Sequence, residues 1–118
     1  MAITLNWIKC DGSAWCDFFN VDLAHNHFEG MEGVYVIWHG GNQPHTVRTG
    51  QGIIRDRIAQ HRQDPQILAY RNLGLFVTWA SVAANQRDGV EKYLGDQLVP
   101  KVGSRLPDAV PIQVNFPW

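Results

Sequence analysis

The spacing of apolar and polar positions changes several times along the chain, and each change predicts a different element. Ile3, Leu5 and Trp7 alternate with polar neighbours, a period of two that predicts a strand over 3–9. Ser13 stands where it can cap a short helix over 14–19, with Asp17 early enough to meet the positive end of the helix dipole. Residues 25–30 are turn formers without a period and read as loop. From 33 to 39 the residues are β-branched and aromatic, and Gly40, Gly41 and Asn42 supply a turn, so 33–39 and 46–49 read as a hairpin. After Gly50 and Gly52 the period becomes helical, with Ile53, Ile54 and Ile58 on one face and Arg55, Asp56, Arg57, Gln60 and His61 on the others.

Pro65 interrupts that helix, and a further short turn of helix is expected over 66–71. Residues 73–80 are apolar on both faces, the pattern of a strand in the middle of a sheet. Asn85 is a capping residue for a long helix over 86–98, whose stripe of Val90, Tyr93, Leu94 and Leu98 can pack on that sheet. Glu91 stands beside the stripe, and 112–115 can add an edge strand. Strands alternating with helices predict an α/β domain, with residues 1–30 as a strand and helix extension packed on a domain over 31–118.

Composition narrows the classes without changing that reading. A chain of 118 residues with 45 % apolar and 18 % charged residues has the balance of one ordinary globule. Its apolar runs fall short of the ~20 residues that span a bilayer. The first residues lack a basic segment followed by an apolar one, so a cytoplasmic protein with no membrane partner is expected. Cys10 and Cys16 are read as two reduced, partly buried thiols, in preference to a small disulfide or a metal pair with His25 and His27. A formal net charge of −1 argues against a dedicated nucleic-acid binder, but Arg48, Arg55, Arg57, Arg62 and Arg71 crowd a stretch with only Asp56 and Asp64, and phosphate contact needs only a local patch.

Within that order of elements, Gly33-Val34-Tyr35, then Arg48-Thr49-Gly50, then Arg57 and His61 one turn apart, then Glu91 on the next helix form a combination that resembles the GIY-YIG nuclease superfamily. Asn115 matches the asparagine that follows the last helix in that family. The resemblance runs from residue 33 to the end and implies a small, mainly antiparallel central sheet flanked by helices. It also implies hydrolysis of nucleic-acid phosphodiesters, with DNA favoured, and one Mg2+ or Mn2+ ion on Glu91. Tyr35 and His61 would serve the attacking water, Arg57 would be catalytic on the developing charge, and Arg48 and Asn115 would join Arg57 on phosphate. The DNA-reading domains often attached in that family have no counterpart in this sequence, so specificity is expected either to come from a partner protein or to be slight.

The residue types suit that chemistry. Phosphodiester hydrolysis needs a proton acceptor for water and cations on the phosphoryl oxygens. A hydrated hard ion needs few protein ligands, and a guanidinium fork matches a phosphate. The chain departs from the family at Arg48, where the second motif has a tyrosine, because a guanidinium cannot accept a proton. Arg48 is therefore either a second phosphate clamp that lowers the pKa of Tyr35, or the mark of a module that binds nucleic acid or another phosphorylated ligand without cutting it. A protein-interaction domain is the third reading. Outside the resemblance, Tyr35 reads as a core aromatic, Arg57 and His61 as solvated helix surface, and Glu91 as an ion-pair partner of Lys92 or Arg87. His25, His27, His39 and His45 read as structural or surface residues, and the five tryptophans as packing.

Overall fold

The computed structural model describes residues 2–10, 12–103 and 105–118. In chain order its strands and α-helices are β1 (Ala2–Ile3), β2 (Cys16–Asp17), β3 (Glu32–His39), β4 (His45–Ile53), α1 (Ile54–His61), α2 (Pro65–Leu68), β5 (Leu75–Ser81), α3 (Ala84–Leu98) and β6 (Gln113–Val114). Four strands make an antiparallel sheet in the order β2-β5-β3-β4, and β1 pairs with β6 in a separate parallel ribbon. The result is an α+β fold whose central strands are the two most apolar runs of the sequence, as their two-faced burial requires.

Alternation along β3 divides the core. Tyr35 and Ile37 face one side, where Ile54 and Ile58 of α1 and Ile67 of α2 cover them. Val34, Val36 and Trp38 face the other, against Val90 and Leu94 of α3. Ile54 and Ile58 are fully buried, and each contributes roughly 1.5–3 kcal/mol toward holding α1 on the sheet. A register shift between Ile37 and Trp38 sets Arg48 opposite Ile37 and Thr46 opposite Trp38, leaving Val47 as the extra residue of a β-bulge. Such a bulge re-aims the side chains next to it, here Arg48.

Several local expectations give way to tertiary contacts. Residues 14–19 do not form a helix: Cys16–Asp17 is strand, paired with Val77 and Phe76 on the edge of β5. That pairing, with Phe18 N–H donating to Leu75 O, satisfies backbone groups a single helical turn would leave open. Cys10 and Cys16 are joined in a disulfide, with Cα atoms 4.9 Å apart, so the expectation of two reduced thiols is corrected. The strand expected over 3–9 is reduced to Ala2–Ile3, although Ile8 N–H donates to Trp79 O farther along. Residues 71–73 form a 3-10 turn, so the strand begins at Leu75. Helix α3 begins at Ala84 with Ala83 as its N-cap residue, without a side-chain cap bond and two residues ahead of the expected Asn85 cap. Pro65 does open a helix: Asp64 caps it, accepting from Gln66 N–H at 2.9 Å.

The first 30 residues are part of the same core. Cys16 and Phe18 are fully buried, and Arg62 donates from Nε to Phe18 O at 3.0 Å and from Nη2 to Val21 O at 2.8 Å. Arg62 is thus a structural anchor. Arg55 also reaches back, to His25 O at 3.3 Å. Two of the five clustered arginines therefore hold the extension, and the patch expected for phosphate shrinks accordingly.

Asn115 lies just past β6 and closes the ribbon. Its Oδ1 accepts from Leu5 N–H at 2.6 Å and its Nδ2 donates to Leu5 O at 3.0 Å, while its own carbonyl accepts from Trp7 Nε1 at 2.9 Å. Both ends of the amide are committed to the backbone of Leu5, which makes Asn115 a clasp between chain ends and corrects its expected place on phosphate. Asn115→Ala is expected to lower stability by about 1–2 kcal/mol through those two lost bonds while leaving any affinity for phosphate unchanged; urea titration and anion binding measured on the same variant check both halves.

Candidate active site

The site grows from strand β4, the outer strand of the sheet. Its first half is covered, because Lys101 and Val102 donate backbone N–H groups to Thr46 O and Val47 O. Beyond Val47 no backbone partner occupies its outer edge among the described residues. On that open stretch, cross-strand neighbours share a face, so Gly50 lies over Tyr35 and Gln51 lies on the side of Val34.

Tyr35 is 2 % exposed and its hydroxyl meets Nε2 of His61 at 2.5 Å. His61 ends α1 and is 6 % exposed, so it is core rather than the surface histidine its amphipathic helix would ordinarily present. Glycine is required opposite Tyr35: a Cβ on residue 50 would collide with the phenol oxygen and ring. Gly52 has φ +130° and lies against Arg57, whose Nε would stand 2.8 Å from a Cβ there. Arg57 itself is exposed and donates to Gln60 Oε1 at 3.3 Å, one residue of a shallow cleft of about 350 Å³ that Glu32, Gly52, Asp56 and Arg57 help to line. Arg48 is half-buried with its guanidinium against Gly103. Among the described residues neither Arg48 nor Arg57 forms a salt bridge.

Glu91 comes from α3, on the opposite face of the sheet from Tyr35 and His61. It is half-buried and accepts from Gln51 Nε2 at 2.9 Å, and the same nitrogen donates to Asp88 at 2.6 Å. Strand β4 borders both groups, Gly50 over Tyr35 and Gln51 against Glu91, and charge acts between them. Burial raises the pKa of Tyr35, Arg48 and Arg57 act to lower it, and Glu91 adds the smallest contribution, upward. Burial raises Glu91 as well, opposed by the Gln51 hydrogen bond and by Arg48 and Arg57 and reinforced by Asp88. Burial, with Arg48 next, pushes His61 down to about 4, so its imidazole is neutral near pH 7. Arg48 thus acts on Tyr35 in the direction expected, but burial outweighs it.

Tyr35, His61, Arg48 and Arg57 are therefore brought to one face of the sheet, whereas Glu91 lies on the other and is the least of the influences on Tyr35, and Asn115 is tied to Leu5. Gln51 and Asp88 were not singled out by the sequence pattern. A signal existed for each: Asp88 precedes Glu91 by three residues and shares its helix face, and Gln51 alternates with Gly50 along the strand. Among the described residues no three His, Cys, Asp or Glu side chains converge. Glu91, with Asp88 beside it and no cationic side chain in a salt bridge with it, offers oxygen ligands only, a set that fits one hard, largely hydrated ion. The other candidate ligands have structural work: His27 Nε2 accepts from Trp79 Nε1 at 3.0 Å, and His25 accepts from the backbone of His27.

A histidine whose native pKa lies below its unfolded value binds fewer protons when folded, so its contribution is intact above pH 6.5 and is lost as pH falls toward 4. The loss is on the order of 2–3 kcal/mol. Glu91, raised in the native state, acts in the opposite direction through acid pH. Comparing the pH dependence of unfolding for the wild type and His61→Gln isolates the histidine; the variant is expected to lose the steep decline between pH 6.5 and 4. No family model, curated protein or solved structure matches the chain.

Proposed function

We propose that the chain is a metal-assisted phosphodiesterase acting on nucleic acid, with DNA as the favoured substrate. The observation that carries the reading is the buried Tyr35–His61 pair, held at 2.5 Å and flanked by two arginines that lack a carboxylate partner among the described residues. A half-buried guanidinium without a counter-ion favours an anionic ligand, because the anion restores the electrostatic balance that burial removed. Arg48 is such a group, and with the exposed Arg57 as a second guanidinium near the Tyr35–His61 pair the set suits a scissile phosphate better than a carboxylate substrate.

In this reading Arg48 and Arg57 hold the non-bridging oxygens and oppose the charge that grows on them. Water attacks phosphorus and the bond to the leaving oxygen breaks. The water proton passes to the Tyr35 oxygen as the phenol proton passes to Nε2 of His61, and solvent protonates the leaving oxygen. His61 is neutral before substrate binds, and so free to accept. The negative phosphate offsets Arg48 and Arg57 and raises the proton affinity of the imidazole at the step that needs it. Glu91, set by Gln51 and with Asp88 beside it, would hold the ion. A bound Mg2+ or Mn2+ would polarise a phosphoryl oxygen and acidify the attacking water. The resemblance to the GIY-YIG superfamily supports the same assignment of roles, with Arg48 as a clamp where that family has a tyrosine.

Labelled DNA and RNA oligonucleotides, single-stranded, duplex and flapped, are incubated with Mg2+ or Mn2+. The wild type is expected to cut at least one of them. Tyr35→Phe should lower the rate by about 10²–10⁴, and Glu91→Ala and Arg57→Ala should abolish cutting without loss of the circular-dichroism signal. Absence of cutting by the wild type on every substrate, with salt-sensitive binding retained, would replace hydrolysis by binding alone. Binding itself should weaken as salt rises, and Arg57→Ala should reduce the slope of log K against log salt by about one phosphate contact. Filter binding in EDTA between 50 and 200 mM salt, the range over which such contacts lose affinity most visibly, reads that slope.

A further inference from the structure

We infer that a second site, a box of three tryptophans at the other end of the β4–α3 face, seats an unpaired nucleobase of the same substrate. The inference rests on the nucleic-acid reading above and names the substrate class: a strand with single-stranded character next to the cleaved bond.

Trp38, on β3, is 7 % exposed and lies against Phe76 with rings nearly parallel. Trp15 and Trp118 stand across it, at interplanar angles of 90° and 65° and centroid separations of 5.3 and 5.1 Å. Both rings meet Trp38 edge to face at ordinary aromatic contact distance, and the exposed ring of Trp118 is the face left for a ligand. A pocket of about 410 Å³ opens among them, and Trp118 remains 58 % exposed. That volume falls within the range of small-molecule pockets. Thr46 and Gln97 bring polar side chains to the wall, and an amide that both donates and accepts can meet the edge of any base.

Charge selects among the ligands an aromatic box can hold. Among the described residues no acidic side chain lines the pocket, and Lys9 Nζ lies 4.5 Å from the centroid of Trp15. Lys101, exposed, is joined to Thr46 through its backbone. Cations flanking a box without carboxylates disfavour an ammonium ligand and favour one with an anionic backbone. The geometry of the chain links the box to the phosphate cluster. Thr46 precedes Gln51 by five residues of strand and Gln97 follows Glu91 by six of helix, spans of about 17 Å and about 9 Å. An extended strand of a few nucleotides bridges that gap. A proline-rich peptide could also enter an aromatic groove, and it becomes an arm of the test.

Tryptophan fluorescence of the full chain is titrated in EDTA at low salt with an oligothymidylate of about eight nucleotides, with an abasic oligomer of equal length, and with a proline-rich peptide. The expected result is quenching by the oligothymidylate, affinity about tenfold or more lower for the abasic oligomer, and a similar loss in Trp118→Ala and, to a lesser degree, Gln97→Ala. Trp118 is exposed, so its removal leaves the core intact. Equal affinity for the abasic oligomer, undiminished binding by Trp118→Ala, or quenching by the peptide alone overturns the base site. The cleavage assay separates this from the catalytic reading: base-dependent binding without any cutting retains the box and removes the nuclease, and cutting with undiminished Trp118→Ala binding does the reverse.

Discussion

A phenol and an imidazole can be buried together only if each satisfies the other. The Tyr35–His61 hydrogen bond meets that condition, and much of the surrounding structure depends on it. Tyr35 points into the face of the sheet that α1 covers, where Ile54 and Ile58 pack in the same core cluster. That placement demands Gly50, since a side chain at that position would displace the phenol. The same glycine thins the outer strand at the place where a ligand would approach.

That edge strand borders polar groups on both faces of the sheet, Tyr35 under Gly50 on one and Glu91 at Gln51 on the other. α1 contributes Arg57 and His61, α3 contributes Glu91, and β4 runs between them. An ordinary strand would separate the two helices with alternating side chains. Here Gly50 and Gly52 leave the edge open, and the remaining residue, Gln51, turns toward α3 to hold the carboxylates. The electrostatics follow from the arrangement: burial raises the proton affinity of Tyr35 and Glu91 and lowers that of His61, while Arg48 and Arg57 act to lower all three. Such opposed shifts within one cluster are common where protons are exchanged.

The extension stabilises this arrangement from a distance. Arg62 leaves α1 immediately after His61 and grips the carbonyls of Phe18 and Val21, so the first residues of the chain help fix the end of the helix that carries the imidazole. The disulfide between Cys10 and Cys16 and the pairing of β2 with β5 secure the far edge of the sheet. The asparagine clasp at Leu5 ties the last strand to the first.

Much of the architecture was legible in the amino-acid order. The hairpin, the glycine-opened helix, the central strand and the long helix are written in local periodicity, because burial on one face or two imposes a spacing that neighbours along the chain must obey. The candidate site residues, a tyrosine on a strand, arginine and histidine one turn apart and a glutamate on the next helix, were singled out only by the resemblance, since periodicity alone reads Tyr35 as core and His61 as helix surface, and His61 is buried. Pairing across the chain was not. Whether residues 14–19 become helix or strand depended on the bare edge of β5, the fate of two cysteines on the distance between their Cα atoms, and the role of Asn115 on the backbone of Leu5. Those outcomes rest on hydrogen-bonding partners more than a hundred residues apart in one case, and only the folded chain brings such partners within reach.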